Sequence, residues 1–200
     1  MSYSSTSWTT DARTKPGSAG TNTVGGVTLY AYFGVSSSIA SNYVANTHYP
    51  LPFCTNGQAP TTQNLMTLGT STDPATSFTT ADGSTTDASL VVPMLWFLPD
   101  NITIDSVTSF EGGDNATGAT TRMHLMSYDF TSGSTSCLTN GALIAHNSDV
   151  TNAGSEQAYK STWTIDSSDI NADKVLSSTF LTTDITGDYS VSVIVKYHLS

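Results

Sequence analysis

The residues that could perform acid–base chemistry in this chain are few. The only two glutamates are Glu111 and Glu156, and cleavage of a glycosidic bond requires an acid and a second carboxyl group on facing strands. Both glutamates stand beside glycine or serine in segments that we predict to be loops, where nothing indicates the burial that raises a carboxyl pKa. We interpret both as solvated loop acids, and the sequence predicts no catalytic site.

The candidate metal ligands are scattered along the chain. The four histidines follow neither a His-Glu-x-x-His nor a Cys-x-x-Cys spacing; they are His48, His124, His146 and His198. His124 and His198 fall on predicted strands, where we expect interface or edge positions. The strings Glu111-Gly-Gly-Asp-Asn115 and Asp166-Ser-Ser-Asp-Ile-Asn171 offer oxygens to calcium, but neither has the spacing of a calcium loop and ordinary turns have the same composition. No metal or other cofactor is predicted.

Nucleophile motifs are absent as well. The chain has no Gly-x-Ser-x-Gly, no glycine-rich phosphate loop and no signature that pairs a cysteine with a histidine. Asn101-Ile-Thr103 and Asn115-Ala-Thr117 match the glycosylation sequon, which chance produces when Ser and Thr make up roughly a third of the residues. For Cys54 and Cys137 two alternatives stay open: two buried small hydrophobic side chains, or one disulfide formed after release from the cell.

Charge and hydropathy exclude two classes of partner. The formal net charge is −10, and so acidic a chain repels phosphate backbones and anionic lipid headgroups, which excludes nucleic acid and membrane surfaces. No apolar run is long enough to span a bilayer. The first eight residues have neither a basic region nor an apolar stretch, so we expect synthesis in the host cytoplasm without a signal peptide.

Apolar side chains alternate with polar ones in several segments, as in half-buried strands. The segment from residue 25 onward places Tyr30 and Tyr32 opposite its apolar face, and we expect this tyrosine face to meet a neighbouring subunit. Later segments repeat the pattern at regular spacing, over residues 102–110 with a β-bulge, 120–130, 142–146, 159–165, 174–181 and 189–199. The predicted fold is all-β, an antiparallel jelly-roll-like β-sandwich. Its predicted core includes Val27, Leu29, Phe33, Trp163, Ile165, Val191, Val193 and Val195.

The chain divides into an arm and a domain. Residues 1–23 have almost no large apolar side chain besides Tyr3 and Trp8, so we predict an extended N-terminal arm that becomes ordered on another subunit, with Trp8 as its anchor. Residues 24–200 form the predicted β-sandwich domain, with a loop-rich region at 36–89. Three shorter elements are expected: a strand near residues 65–68, a strand at 90–98 interrupted by Pro93, and one helical turn near 167–173.

Several strings of the second half carry a resemblance to a known group of proteins. They are Pro93-Met-Leu-Trp-Phe-Leu-Pro-Asp-Asn-Ile-Thr-Ile-Asp-Ser-Val107, Arg122-Met-His-Leu-Met-Ser-Tyr-Asp-Phe130, Ser168-Asp-Ile-Asn-Ala-Asp-Lys-Val175 and Ser190-Val-Ser-Val-Ile-Val-Lys-Tyr-His-Leu199. Over about residues 25–200 the chain resembles virion structural proteins of marine tailed bacteriophages, described as head-fibre, head-decoration or tail-fibre-like. The resemblance implies jelly-roll-like domains in homo-oligomers, with a trimer favoured, on the exterior of the particle. Implied partners are the major capsid protein or the portal and tail proteins.

Two functional classes follow from these observations. The first is a non-enzymatic decoration or head-fibre protein, for which the partner-binding residues are Tyr3, Trp8, Tyr30 and Tyr32. The second is a fibre or spike module that recognises a host surface glycan or protein. Its loop aromatics would be Tyr43, Tyr49, Phe53 and Phe78, which could stack on sugars or equally pack a subunit interface. A depolymerase is disfavoured because the chain has neither a carboxylate pair nor the repeats of a β-helix.

Overall fold

Strands account for most of the structure. The computed structural model describes residues 27–37, 44–53, 66–80, 88–113, 117–154, 156–184 and 188–200, so the predicted arm lies outside the described residues. The strands are β1 (Leu29–Ser37), β2 (Tyr49–Pro50), β3 (Trp96–Phe97), β4 (Ile102–Gly113), β5 (Thr120–Phe130), β6 (Leu138–His146), β7 (Val150–Thr151), β8 (Gln157–Thr162), β9 (Thr164–Ile165), β10 (Asp169–Ile170), β11 (Lys174–Thr182) and β12 (Tyr189–Leu199). One short helix, α1 (Ala88–Val91), leads into a 3₁₀ turn (Val92–Met94). Neither is long enough to cross a membrane.

The strands form two antiparallel sheets that pack face to face. In the first sheet the order is β1-β12-β4, with β8 and β10 both paired to β4; in the second it is β2-β11-β5-β6-β9, with β3 on β11 and β7 on β5. The four principal strands of each sheet therefore run β1-β12-β4-β8 and β2-β11-β5-β6. An eight-stranded double sheet with this Greek-key connectivity is a jelly roll. The predicted fold class is confirmed.

The main core lies between the two sheets, and period-two alternation fills it. Phe33, Trp163 and Val193 are buried there, as are the other predicted positions Val191 and Val195, and Ile165 packs against them partly buried. Val27 is different: it is 56% exposed, and Leu29 is only half-buried. Val27 precedes the first residue of β1 and has no strand partner within the described chain, so the alternation begins in the sequence before the sheet does.

A β-bulge in β4 lets apolar side chains before and after it face the same core. Lys196 on β12 pairs with Ser106 and the next residue, Tyr197, pairs with Ile104, so Asp105 has no partner across the ladder. The extra residue turns Val107 to the same inner side as Ile104, and both are buried. The bulge predicted from the sequence is confirmed, and it keeps the whole of β4 in register with the core.

A second apolar cluster covers the outer side of the second sheet. Met126, Tyr128 and Val175 point away from the main core and pack against Leu68 of the loop-rich region and Val91 of α1. Tyr128 donates a hydrogen bond from its hydroxyl to the carbonyl oxygen of Ala75, at 2.9 Å. The long loop is therefore a third layer of the domain, over one sheet only.

Three of the shorter predicted elements are wrong. Residues 66–68 form no strand, although the amide of Leu68 donates to the carbonyl oxygen of His48 and the amide of His48 donates to that of Gly69; Leu65 lies outside the described part. Residues 90–98 form the helical segment and the short β3, since Pro93 has no amide hydrogen for a ladder and fits the first turn of a helix. Near residues 167–173 the chain forms β10 against β4 in place of a helical turn.

Candidate functional site

The outer face of the first sheet carries exposed aromatic side chains. Tyr30 and Tyr32 on β1 are 53% and 48% exposed, as expected for the tyrosine face. Tyr30 lies beside Lys196 and Tyr32 beside Ile194 on β12, and both β12 residues are half-buried. The predicted partner-binding tyrosines thus lie on one accessible surface, whereas Tyr3 and Trp8 lie outside the described residues.

Phe110 extends this surface across β4. Its side chain is 45% exposed, and the register places it beside Ser192 on β12 and Lys160 on β8. The Lys160 ammonium lies 5.9 Å from the centroid of the Phe110 ring, within the range of a cation–π contact. Sequence analysis missed Phe110, because its position on the outer face depends on the bulge at Asp105. We call the surface formed by Tyr30, Tyr32, Phe110, Ile194, Lys160 and Lys196 the aromatic face.

The contrast with the second sheet gives the aromatic face its significance. The loop-rich region and α1 cover the outer side of that sheet, but no described element covers the first. An exposed aromatic patch on a sheet face is the kind of surface that binds other proteins. The aromatic face is therefore the candidate functional site.

A cluster of three histidines lies beneath the covering layer. His124 on β5 pairs across the ladder with His146 on β6, and His48 comes from the loop before β2. The ring centroids of His48 and His124 are 5.0 Å apart, and those of His124 and His146 are 6.3 Å apart. We call these three residues the histidine cluster. The sequence predicted interface or edge positions for His124 and His198; His124 is instead buried, because the loop folds over it.

Burial of His48 and His124 favours their neutral imidazoles. Nε2 of His48 donates to the carbonyl oxygen of Ser71 at 2.9 Å, and Nε2 of His124 lies 3.4 Å from Oδ1 of Asp73. The Nδ1 atoms of His48 and His124 are buried without a hydrogen-bond partner among the described residues. Burial, with the neighbouring His48, Arg122 and His146, lowers the pKa of His124 to about 3, and burial also lowers the pKa of His48.

Glu111 occupies a buried position, contrary to the prediction of a solvated loop acid. It lies on β4, between Tyr159 of β8 and Val191 of β12, and only 7% of it is exposed. The Glu111-Gly112-Gly113 string resembles a turn, but pairing on both sides keeps these residues in the strand. Burial raises the pKa of Glu111 to about 6, and a hydrogen bond from the Thr121 hydroxyl to Oε2 opposes that rise. Its other oxygen, Oε1, has no partner in the described chain.

The cavity beside Glu111 is small. It has a volume of about 10 Å³ and is lined by Asn152, Gln157, Tyr159 and Tyr189, among others, which leaves space for about one water. No second carboxyl group is among the described residues that line it. The arrangement holds one partly desolvated carboxyl group, and it does not supply the pair of carboxyl groups that glycoside cleavage requires. Glu156 is exposed, as predicted.

The other candidate ligands are used within the fold. Asp166 accepts from His146 at 2.7 Å and Asp169 accepts from Thr103 at 2.8 Å, so the second calcium candidate is a hydrogen-bonded turn. Within the described residues, no three His, Cys, Asp or Glu side chains are arranged to hold a metal ion. Cys137 is a free, buried thiol, and Cys54 lies outside the described residues.

The loop aromatics considered for glycan stacking are largely withdrawn from solvent. Tyr49 is buried, and Phe53 and Phe78 are partly buried against the two apolar clusters. Tyr43 lies outside the described residues. Among the described residues, the exposed large aromatic side chains all lie on strands: Tyr30, Tyr32, Phe97, Phe110 and Phe130.

Comparison with known proteins adds no relative to this picture. No protein-family model matches the chain, and no curated protein matches it significantly.

Proposed function

We propose that the protein is a non-enzymatic structural protein on the exterior of a tailed-phage particle, a capsid decoration or head-fibre protein attached through its N-terminal arm. The observation that carries a role in assembly is the aromatic face, which lies open on one sheet while the protein's own loops cover the other. The proposed location on a virus particle rests on the sequence resemblance. The fold alone supports neither, because jelly rolls serve many functions.

The aromatic face is suited to a protein contact for a physical reason. Its three exposed rings stand on β1 and β4, which are both hydrogen-bonded to β12 between them, so their backbone is already fixed and little entropy is lost when a partner covers them. Aromatic side chains are also enriched in interfaces relative to the rest of a protein surface. A rigid, aromatic sheet face therefore supports a structural role.

The proposed attachment through the arm follows from composition. Residues 1–23 contain Tyr3 and Trp8 but little other apolar surface, so their ordering would be driven by a partner. The major capsid protein or the portal and tail proteins are the proposed partners. β1, the first described strand after these residues, lies at the edge of the sheet that carries the aromatic face.

The alternative role, recognition of a host surface glycan or protein, has less support. Sugar-stacking sites need aromatic rings exposed in a concave place, whereas Tyr49, Phe53 and Phe78 pack inward. The exposed rings stand on strands instead. This distribution favours subunit contact over glycan binding.

Deletion of residues 1–23 tests the proposed function. We expect a folded β domain, by circular dichroism, that no longer co-sediments with particles of the virus that encodes it, while the full chain does. The proposal is wrong if the truncated domain still decorates particles normally but melts at a much lower temperature, because the arm is then part of the domain. Quantitative mass spectrometry of particles separates decoration, at hundreds of copies, from a fibre, at a few.

A further inference from the structure

The aromatic face differs in charge from the rest of the chain. Lys160 and Lys196 stand on it, and within the described residues no salt bridge joins either to an acid. The other two described basic side chains, Arg122 and Lys174, are paired with Asp149 and Asp129. The face therefore presents two uncompensated ammonium groups in a molecule whose formal net charge is −10.

Carboxyl groups are few on this face. On the described parts of β1, β12, β4, β8 and β10, the outward carboxyl groups are Asp105 at the bulge and Asp169 on β10. Asp105 accepts a hydrogen bond from Nδ1 of His198 at 2.9 Å, and Asp169 accepts one from the Thr103 hydroxyl at 2.8 Å. Within the described residues, neither carboxyl group forms a salt bridge with Lys160 or Lys196.

This charge distribution decides between two modes of contact. A two-fold pairing of aromatic faces would bring the lysines of both copies into one low-dielectric interface, where Asp105 and Asp169 are already hydrogen-bonded to His198 and Thr103. Like charges brought together in this way cost free energy. Docking on an acidic surface gives each ammonium group a complementary charge. The acidic remainder of the same chain is such a surface.

The edge of the sheet is not the contact. The outer side of β1 is closed by the protein's own loop, since the amide of Gly34 donates to the carbonyl oxygen of Pro52 at 3.0 Å and Phe33 bridges to Phe53. Addition of a strand from a partner is blocked over this stretch. Next to β1, a partner must therefore contact the face of the sheet and not its edge.

We propose that the aromatic face binds the acidic surface of a second copy of this chain, head to tail. The inference deepens the proposed function, because it names the occupant of the face on which that proposal rests. Head-to-tail contacts between identical chains close into a ring when the rotation from one copy to the next closes, and continue as a filament when it does not. Four strands about 4.8 Å apart and roughly 30 Å long offer about 500 Å² per partner, or about 1,000 Å² in total, near the lower limit for a specific interface.

Sedimentation of the purified full chain over a range of concentrations tests this inference. We expect the wild type to form a cyclic oligomer. In Phe110→Ser, which loses an exposed aromatic anchor, the concentration at which the oligomer dissociates should be about tenfold higher or more. Phe97→Ser is the matched control: Phe97 is 54% exposed on β3 of the other sheet, and its replacement should leave association unchanged. Lys160→Glu combined with Lys196→Glu should weaken association about as much as Phe110→Ser, and high salt should weaken the wild type.

Each outcome of this experiment either supports or overturns the head-to-tail contact. A wild-type chain that stays monomeric throughout overturns the inference, as does a dimer that Phe110→Ser disrupts but the double lysine variant leaves intact, because that dimer pairs face to face. An oligomer lost on deletion of residues 1–23 but unaffected by Phe110→Ser assigns association to the arm and also overturns it. None of these results bears on particle attachment, so failure here and failure of the proposed function are distinguishable.

Discussion

Acidification should change the free energy of unfolding of the domain through two buried groups, His124 and Glu111, whose effects oppose each other. Burial holds the pKa of His124 at about 3 against an ordinary 6.5, so the folded state keeps a neutral imidazole that the unfolded chain protonates. The stability that His124 contributes is present above pH 6.5 and is lost as the pH falls below it. Between pH 8 and pH 5 the loss amounts to about 2 kcal/mol, at 1.36 kcal/mol per pH unit below 6.5. His48 acts in the same direction.

Glu111 acts in the opposite direction. Its pKa is raised from 4.5 to about 6, so the folded state favours the protonated carboxyl group and loses stability as the pH rises from 4.5 through 6. Between pH 8 and pH 5 the domain should therefore regain about 1 kcal/mol from this residue. Glu111→Gln removes this pH-dependent contribution, and it should also raise the free energy of unfolding at pH 8 by up to about 2 kcal/mol.

Urea denaturation at pH 8 and pH 5, followed by the fluorescence of the buried Trp96 and Trp163, measures both effects. On acidification from pH 8 to pH 5, we expect the free energy of unfolding of Glu111→Gln to fall by about 2 kcal/mol or more. That of the wild type should fall by about 1 kcal/mol less. In the Glu111→Gln background, His124→Gln should remove most of the dependence. His198→Gln is the control, since this residue lies on the opposite sheet. If Glu111→Gln is equally stable at both pH values, or if His124→Gln leaves its slope unchanged, the burial argument is refuted.

Three further predictions concern packing, chemistry and attachment. Gly141→Ala should destabilise the domain by about 1–3 kcal/mol in urea denaturation, because a Cβ at this position would lie 2.7 Å from both the Thr76 backbone and the Tyr128 ring. Gly112→Ala is the control: the nearest contact of its Cβ would be at 3.9 Å, and it should cost less than about 1 kcal/mol. Glu111→Gln and Glu156→Gln should leave particle assembly and infectivity unchanged; a strong loss of adsorption or polysaccharide cleavage would revive an enzymatic role. Trp8→Ala should weaken attachment to particles by about 2 kcal/mol, roughly 30-fold in a binding titration, and equal binding would remove Trp8 as the anchor.

The sequence predicted the strands best where the period of two is long. Residues 189–199 match β12 at both ends, because this strand alternates over its length and one of its faces is buried by a whole sheet. Residues 120–130 also match β5 at both ends, although both faces of that strand are buried. The bulge was also visible, as a change of phase between Ile104 and Val107. Tyr30 and Tyr32 were found on the outer face for the same reason.

The failures come from segments whose structure is decided by distant contacts. Glu111 precedes two glycines, a turn signal that two neighbouring strands override by pairing with both sides of β4. The segment around Pro93 is apolar enough for a strand but forms α1 and a 3₁₀ turn over the second sheet. The histidine cluster joins residues 48, 124 and 146, and no spacing along the chain reveals that a loop brings them within 5–7 Å.

The placement of the polar chemistry supports an assembly role over a catalytic one. Glu111 and His124, two groups whose pKa is displaced by burial, are 7% and 2% exposed, and the cavity beside Glu111 admits about one water. A catalytic group needs a shifted pKa together with access for a substrate, and here the shift comes from the exclusion of solvent. The accessible surface instead presents rings and lysines on a rigid sheet. In this domain burial sets the pH dependence of stability, while the aromatic face, which no described element covers, is the surface that we propose contacts a partner.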